Sequence, residues 1–255
     1  MKIVAVIPAH LASVRFPRKI LFDFHGLPMI EHVRRRALLS DSISDVYVAT
    51  CDDEIAKVVK AYGGKIIITA NTHTNGTTRV SEAIQDIDCT HVMLLQGDEP
   101  LLLPRHLDNF AKVIKAIPTG DAWNATGPIE YEDELDRHSF VKCVVSELDQ
   151  ILYCFRRSPC YSEFTRQTVF VRKILGIIAY RKEFLQHLSS LSPSPIEQAE
   201  LIEQMRIIEN GYKLLSVPVN QSLPSVNEPE EADIVLDYIQ NTDEQKQLLD
   251  IIMSS

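Results

Sequence analysis

The residues best suited to chemistry stand together near the N-terminus. Residues 8–19 read PAHLASVRFPRK and follow an apolar run over residues 3–7. Arginine offers paired donors to phosphate oxygens, and lysine offers a compact positive charge. Ligands of open α/β sheets bind beyond the carboxyl ends of strands. An apolar strand followed by Ser13, Arg15 and Lys19 therefore predicts a loop that grips a polyphosphate, and the alternative is a solvated basic turn.

A second polar group follows another apolar run. Residues 91–95 read HVMLL, and Gln96-Gly97-Asp98-Glu99-Pro100 comes directly after them. A carboxylate just past a central strand lies at the ligand-facing edge of a parallel sheet. Asp98 is therefore expected at the same edge as the first loop.

The elements that position these residues alternate along the first hundred positions. Strand-like and helix-like stretches follow one another over residues 3–7, 30–39, 46–50, 54–62, 65–69, 79–87 and 91–95. This βαβ alternation predicts an α/β fold whose open, mainly parallel nucleotide-binding sheet has helices on both faces.

The middle of the chain has a different pattern. Residues 140–145 and 151–155 are strand-like, and residues 175–180 suggest a third strand. The intervening residues 156–172, rich in Arg, Ser, Pro and Tyr, indicate a loop. We expect a small mixed β insertion over about 140–180. A strong helix is predicted over residues 196–210 and ends before a glycine.

Composition narrows the class of protein. The chain has 255 residues, 45% apolar and 24% charged, which are ordinary globular values. A net charge of −9 argues against a general nucleic-acid binder. Five cysteines without CxxC spacing indicate neither a zinc site nor a disulfide framework and favour the reducing cytoplasm. No apolar run approaches the roughly 20 residues of a membrane span, and none at the N-terminus suits a secretory signal.

The motifs resemble those of sugar-activating cytidylyltransferases, especially the 3-deoxy-manno-octulosonate (Kdo) cytidylyltransferase family. Residues 8–19 resemble the family pattern P-A-R-x-x-S-x-R-x-P-x-K, and residues 96–100 match Q-G-D-E-P. Weaker blocks agree in order, at residues 26–30, 46–50, 75–79, 176–181 and 203–211. The matches extend over residues 3–232, nearly the whole chain.

The resemblance implies an activity and an organisation. The family transfers a cytidylyl group from CTP to a Kdo-like 2-keto-3-deoxy sugar acid, with Mg²⁺, giving a CMP-sugar and pyrophosphate for lipopolysaccharide or other surface polysaccharide. It implies one nucleotidyltransferase domain over residues 1–255, with an inserted subdomain at about 140–180 that carries sugar and dimer contacts. We therefore expect a cytoplasmic homodimer whose partners are these two substrates, with no nucleic acid and no membrane.

The resemblance also implies roles for individual residues. The implied catalytic residues are Arg15, Lys19 and Asp98. The implied nucleotide contacts are Pro8, Ala9, His10, Ser13, Arg15, Lys19, Asn75, Gly76, Thr77 and Arg79. The implied sugar contacts are Gln96, Arg156, Arg157, Glu203, Gln204 and Arg206. The implied ligands of Mg²⁺ are Asp98 and Asn227.

Each group has a plainer alternative. Asp98 could be a turn or helix-capping residue. Thr77 and Arg79 could be helix-start residues. The group over residues 203–206 could be an exposed helix face with ordinary charge pairs.

Four positions depart from the family pattern. His10 replaces an arginine and exchanges a permanent charge for a titratable one. Cys51 replaces an aspartate, and Ile174 replaces a histidine expected at the sugar. Asn227 replaces the aspartate that would be the second metal ligand, and its neutral carbonyl supplies less charge to a cation. Glu228 could compensate if the loop shifts.

The departures leave the exact sugar open. The family block Y-F-S-R-S-P is one residue longer here, so either Arg156 or Arg157 could pair with the sugar carboxylate. An amino-Kdo or a nonulosonic, sialic-acid-like sugar is an alternative substrate. A different class of protein, a non-catalytic paralogue that binds CTP or CMP, is the alternative outside enzymes.

Overall fold

The computed structural model describes residues 1–160 and 162–254. Tyr161, inside the predicted insertion, and Ser255 lie outside the described residues. The chain divides into two compact units. The first comprises Met1–Ala111 and Leu223–Ser255, and the second comprises Lys112–Ser222.

The elements are numbered in chain order. The strands are β1 (Ile3–Ala9), β2 (Asp23–Phe24), β3 (Leu27–Pro28), β4 (Asp45–Thr50), β5 (Lys65–Ile68), β6 (His91–Leu95), β7 (Ala122–Gly127), β8 (Lys142–Val145), β9 (Ile151–Phe155), β10 (Val171–Arg181) and β11 (Leu214–Pro218). The α-helices are α1 (Met29–Leu38), α2 (Asp53–Ala61), α3 (Gly76–Ala83), α4 (Pro104–Ala116), α5 (Phe164–Gln167), α6 (Lys182–Ser190), α7 (Pro195–Glu200), α8 (Gln204–Glu209), α9 (Pro229–Asn241) and α10 (Asp243–Met253). Short 3-10 helices span Lys19–Leu21 and Glu132–Leu135.

The first unit contains a parallel sheet in the order β6–β1–β4–β5. β1 pairs in parallel with both β4 and β6, so that Val6 lies opposite Tyr47 on one side and Leu94 on the other. The apolar residues of β1 are almost fully buried, as expected for a strand covered on both faces. Because the strands are parallel, the loops that follow β1 and β6 leave from the same edge.

The second unit contains a smaller sheet of mixed direction. β7 pairs in parallel with β11 and antiparallel with β10, and β8 pairs antiparallel with both β10 and β9. Beneath it, Ile129, Leu135, Phe155 and Val171 form an apolar cluster. The predicted insertion is therefore antiparallel within itself, and the mixed character comes from the β7–β11 pair. The predicted α/β class, with a mainly parallel sheet, surrounding helices and a small β insertion, is confirmed.

Two local predictions need correction. The single helix predicted over residues 196–210 is two helices, α7 and α8, because Leu201 has a left-handed backbone with φ of 56°. The segment 156–172, predicted as a loop, contains the one-turn helix α5, and β10 begins within it at Val171. Among the described residues, no helix is long and apolar enough to cross a membrane.

Candidate active site

The centre of the site in the first unit is a contact between Lys19 and Asp98. Lys19 begins the 3-10 helix after the first loop, and its Nζ donates to Asp98 Oδ2 at 2.7 Å. The same Nζ donates to the backbone carbonyl of Val226 at 2.9 Å. The two side chains are 17% and 20% exposed, so the pair is screened less than a surface salt bridge. Two predicted catalytic residues are thus brought together.

A glycine allows the turn after β6 to approach the first loop. A Cβ on Gly97 would lie 2.5 Å from Ile20 Cδ1, inside van der Waals contact. Ile20 is the buried residue of the 3-10 helix that starts at Lys19. The absence of a side chain at Gly97 therefore lets Ile20 pack against this turn without shifting.

The segment before α9 completes this group. Asp98 accepts, through its backbone carbonyl, a hydrogen bond from Val226 N at 2.9 Å. Arg15 Nη2 lies 3.5 Å from Asn227 Oδ1, and its Nη1 lies 3.8 Å from Glu228 Oε1. The Arg15 side chain is 54% exposed, so these long contacts hold it weakly and leave it able to bind an anion.

The rest of the first loop is held by Asp52, which follows the Cys51 departure, and by Glu54, whose carboxylate binds the Arg18 guanidinium. Asp52 Oδ2 accepts a hydrogen bond from Leu11 N at 2.9 Å, and Asp52 N donates to Thr50 Oγ1. Ser13 Oγ accepts from Phe16 N at 3.4 Å, within the loop. The change of aspartate to cysteine at position 51 therefore leaves the loop-binding carboxylate at Asp52 in place.

His10 follows the last residue of β1 and is exposed at the loop's start. Partial burial of the imidazole, together with nearby Arg79, lowers the pKa of His10 below its usual 6.5. The ring is therefore neutral at pH 7. The family's permanent positive charge at this position is missing in this chain.

Asn75 caps the N-terminus of α3. Its Oδ1 accepts hydrogen bonds from Thr78 N and Thr78 Oγ1, both at 2.9 Å. Gly76 approaches the end of β1 closely, since a Cβ there would lie 3.1 Å from Pro8 Cγ. The structure therefore brings the predicted nucleotide residues at 8–9 and 75–76 together, with Ala9 buried at the end of β1.

Two other predicted nucleotide residues are buried at this helix start. Arg79 Nη1 donates to Thr69 Oγ1 at 2.6 Å and to Ala70 O at 3.3 Å, and Thr77 is also buried. His73, which sequence reasoning missed, contacts Thr78 Oγ1 through Nδ1 and Glu82 through Nε2. The contacts of Thr77 and Arg79 are those of residues at a helix start. Their contact with the nucleotide stays a prediction.

The predicted sugar residues are divided between the units. Gln96 is exposed in the first unit, directly after β6. The remaining five belong to the second unit. Ile174, the apolar replacement for a family histidine, is half-buried in β10.

Arg156 and Arg157 have opposite environments. Arg156 donates to the backbone carbonyls of Glu200, Leu201 and His138 at 2.9 to 3.2 Å. Arg157 is 83% exposed and makes a 3.3 Å surface contact with Asp136. Of the two, Arg157 has the guanidinium that can reach a ligand without breaking internal hydrogen bonds.

Lys142 binds the backbone at the end of β9. Its Nζ donates to three backbone carbonyls, those of Arg137, Phe140 and Arg156. Burial and the nearby Arg156 charge lower the pKa of Lys142 to about 8. The sequence gives no sign of this role, because a single lysine in a strand-like run is normally solvated.

Arg206 is an internal residue. Its guanidinium binds the Glu197 carboxylate through Nε at 2.7 Å and Nη2 at 2.5 Å, with the two side chains 7% and 8% exposed. The interpretation of 203–206 as an exposed face is therefore wrong at Arg206, because the helix break turns α8 against α7. Glu203 is half-buried at the N-cap of α8. Sugar binding by Glu203 and Arg206 stays a prediction.

Gln204 is the best placed of this group. It is half-buried at the start of α8, and its Nε2 donates to Asn124 Oδ1 at 3.0 Å. Asn124 was missed by sequence reasoning, because it lies 80 residues away in a strand that no motif marks.

Asp98 and Asn227 offer too few oxygen ligands to hold Mg²⁺ alone, so they fit the ion only if substrate phosphates and water complete its coordination. Within the described residues, no group of three His, Cys, Asp or Glu side chains is arranged to hold a metal. Mg²⁺ is usually bound by one or two protein carboxylates together with substrate phosphates and water. Asp98 would supply one carboxylate, and Asn227 would supply one neutral carbonyl.

Comparison with known proteins establishes the class first. A family model described as cytidylyltransferase matches residues 4–215. A solved structure of CMP:2-keto-3-deoxy-manno-octonic acid synthetase complexed with CTP superposes with a TM-score of 0.88. It is 34% identical and covers 94% of this chain and 99% of its own. A 4-diphosphocytidyl-2C-methyl-D-erythritol synthase from Anaerococcus prevotii, 14% identical with a TM-score of 0.63, shares the fold alone.

Curated relatives narrow the class. A 3-deoxy-manno-octulosonate cytidylyltransferase from Chlorobium limicola is 40% identical, covering 92% of this chain and 96% of the relative. The Escherichia coli protein of the same name is 37% identical, covering 89% and 92%. The chain belongs to the 3-deoxy-manno-octulosonate cytidylyltransferase family, within the cytidylyltransferases. The predicted family is confirmed.

Proposed function

We propose that this chain transfers a cytidylyl group from CTP to 3-deoxy-manno-octulosonate, releasing pyrophosphate and CMP-Kdo. The observation that carries the proposal is the Lys19–Asp98 contact of 2.7 Å. It places a cation suited to phosphate beside a carboxylate suited to a metal, where β1 and β6 end. The family relationship names the substrates, and the CMP-sugar would serve lipopolysaccharide or other surface polysaccharide synthesis.

The chemistry rests on positioning and neutralisation of charge. The anomeric hydroxyl oxygen of the sugar acid forms a bond to the α-phosphorus of CTP. The bond from that phosphorus to the bridging oxygen breaks, pyrophosphate leaves, and the hydroxyl proton passes to solvent water. Arg15 and Lys19 hold the triphosphate and offset the negative charge that develops on it. We propose that Ser13, His10 and the residues at 75–79 surround the nucleotide.

Mg²⁺ is part of the proposal. Asp98 would be its carboxylate ligand, and the ion would withdraw charge from the phosphate oxygens. Lys19, whose Nζ donates to Asp98 Oδ2 in this structure, would then also face the phosphate oxygens. Asn227 would orient its amide oxygen to the same ion and supply no net charge.

On the sugar side we propose Gln96, Arg157 and Gln204 as direct contacts. Arg157 is free to pair with the carboxylate of the sugar acid. Gln204 Nε2 is held by Asn124 Oδ1, which leaves the Gln204 side-chain oxygen to accept from the sugar. Arg156, Glu203 and Arg206 act indirectly in this proposal, by holding the structure of the second unit around Arg157 and Gln204.

The organisation predicted from the family remains a proposal. We propose that residues 1–255 act as a single nucleotidyltransferase domain and form a homodimer through the segment at about 140–180. All five cysteines are free thiols, which supports a reducing cytoplasm. Light scattering at micromolar concentration should give twice the mass of 28.9 kDa.

The test is pyrophosphate release from CTP and Mg²⁺ with a panel of sugar acids, and the product is identified by mass spectrometry. Kdo should give CMP-Kdo, and Asp98→Asn should give almost none. Preference for an amino-Kdo or a nonulosonic acid would move the substrate to the alternative suggested by Ile174 and His10. CTP binding without pyrophosphate release for any sugar acid would support a non-catalytic paralogue and contradict the proposal.

A further inference from the structure

A buried asparagine in β7 has its side-chain amide held in one orientation. Asn124 is fully buried, and its Nδ2 donates to Ala125 O at 2.9 Å and to Leu175 O at 3.0 Å. Both partners are carbonyl oxygens and accept only. The NH₂ group must therefore face them, and Oδ1 must face the opposite way.

A bulge in β10 explains why an asparagine stands here. Thr126 lies opposite Ile174 and Asn124 lies opposite Ile178, so residues 175–177 oppose a single residue of β7. A bulge of this kind removes backbone groups from the regular hydrogen-bond ladder. The Asn124 amide takes up one of them, the carbonyl of Leu175.

The outward Oδ1 of Asn124 fixes Gln204 in turn. It accepts the hydrogen bond from Gln204 Nε2 at 3.0 Å. An amide whose NH₂ is held on one side presents its carbonyl oxygen on the other. Among the described residues, no hydrogen bond reaches Gln204 Oε1. Gln204 is half-buried, so this oxygen is available to a ligand.

We infer that Asn124 is a positioning residue that turns Gln204 Oε1 toward the sugar acid, where it accepts a hydrogen bond from a sugar hydroxyl. The inference rests on the proposed function, since it takes Gln204 as a sugar contact. It also predicts selectivity. A sugar acid with a hydroxyl at the contacted position should bind better than its deoxy analogue, because the analogue offers no donor to this half-buried acceptor.

The experiment measures KM for Kdo and for CTP in Asn124→Ala, Gln204→Ala and the double variant. Thr126→Val is the matched control, because Thr126 is a fully buried polar residue two positions along the same strand that bonds Ser216 and Arg172 instead. Asn124→Ala should raise KM for Kdo about fivefold to tenfold and leave KM for CTP unchanged. Thr126→Val should leave both unchanged. The double variant should be no worse than Gln204→Ala.

Asn124→Asp separates positioning from structural support. It keeps an acceptor for Gln204 and, as a buried protonated carboxyl, donates to only one of the two carbonyls, so it should lower the melting temperature yet retain a KM for Kdo near that of the wild type. Additive effects of the two alanine substitutions, or equal changes in both KM values, would overturn the inference. So would a normal KM for Kdo in Gln204→Ala, and CMP-Kdo formation would then still support the proposed function.

A measurement that needs no turnover tests the inference even if the proposed function is wrong. The side-chain NH₂ resonances of Gln204, assigned by their absence in Gln204→Ala, should shift in Asn124→Ala and stay in place in Thr126→Val. Unchanged resonances would overturn the inference even in an active enzyme. If the wild type uses another sugar acid, the KM comparison is made with that sugar acid.

Discussion

Lys19 and Asp98, 79 residues apart in sequence, form a partly buried ion pair in which Nζ and Oδ2 are 2.7 Å apart. Each residue is thereby held at the ligand-facing edge before any ligand arrives. Both proposed ligands draw on this pair, because Lys19 is proposed to contact phosphate and Asp98 is proposed to hold the metal.

Replacing Lys19 should weaken CTP binding. A charge-assisted hydrogen bond contributes about 1.5–3 kcal/mol, so Lys19→Ala should raise the Kd for CTP about 10- to 150-fold. Calorimetric titration with CTP measures it. Lys19→Arg keeps the charge and should recover part of the affinity. Equal CTP affinity in the alanine variant and the wild type would contradict the assignment.

The two proposed metal ligands should respond differently to exchange of acid and amide. Asp98→Asn should nearly abolish turnover, because Asp98 is the carboxylate of the pair. Asn227→Asp should lower the Mg²⁺ concentration for half-maximal rate, since metal affinity follows the charge of the ligands. Magnesium titrations of the rate measure both. Near-normal turnover of Asp98→Asn would refute the role of Asp98. No effect of Asn227→Asp would indicate that Glu228 or Glu230 supplies the missing charge, or that the enzyme works with a single protein-bound metal.

His10→Arg should strengthen CTP binding at neutral pH. The lowered pKa of His10 leaves the ring uncharged at pH 7, whereas arginine keeps its charge. We expect the KM for CTP to fall about threefold to tenfold, which is the size of effect expected for one added contact between a partly exposed arginine and the triphosphate. His10→Gln, which adds no charge, is the control and should leave the KM close to that of the wild type. A fall of the same size in both variants would show that charge is not the cause.

Arg156 and Arg157 should separate stability from sugar binding. Arg156→Ala leaves three carbonyl acceptors without their guanidinium, so it should lower the free energy of unfolding by about 2–3 kcal/mol. Arg157→Ala should leave stability unchanged and raise KM for the sugar acid. Urea denaturation and initial rates on the two variants give the comparison. A raised sugar KM in neither variant would exclude both as carboxylate contacts.

Breaking the buried Glu134–Lys173 pair should be costly. Lys173 Nζ lies 2.7 Å from Glu134 Oε1, and both side chains are 8% exposed. Glu134→Gln leaves the ammonium without its anion and should lower the free energy of unfolding by about 3–5 kcal/mol. Glu132→Gln, an exposed change in the same 3-10 helix, should have almost no effect.

The same pair gives a pH dependence. Burial alone would raise the pKa of Glu134, but hydrogen bonds from Lys173 and from the N–H groups of Glu130 and Tyr131 bring it below the usual 4.5. A carboxyl with a lowered folded-state pKa stabilises above its unfolded value and loses that stabilisation as pH falls through the folded value. The stability gap between wild type and Glu134→Gln should therefore shrink below pH 4.5. A gap that stays constant to lower pH would contradict this.

The parallel sheet of the first unit and the first loop could be read from the sequence because their signals are local. A strand buried on both faces is a continuous apolar run, and 91–95 is an example in which the predicted and observed bounds agree. Motif residues such as Arg15, Lys19 and Asp98 directly follow such runs, and parallel strands deliver their loops to one edge. Order along the chain was therefore enough to predict their neighbourhood.

Tertiary structure alone decided the contacts that join distant segments. The apolar pattern of 196–210 is continuous, yet Leu201 breaks the helix, and the Arg156 guanidinium binds the carbonyls exposed there, from 45 residues away. Arg206 has the sequence pattern of a surface residue, but the helix break brings it against Glu197. Asn124 belongs to no sequence motif, and its contacts depend on the bulge in β10 and the start of α8 that lie beside it. Periodicity reports which face of an element is buried, whereas the partner of a buried polar group depends on where the rest of the chain packs.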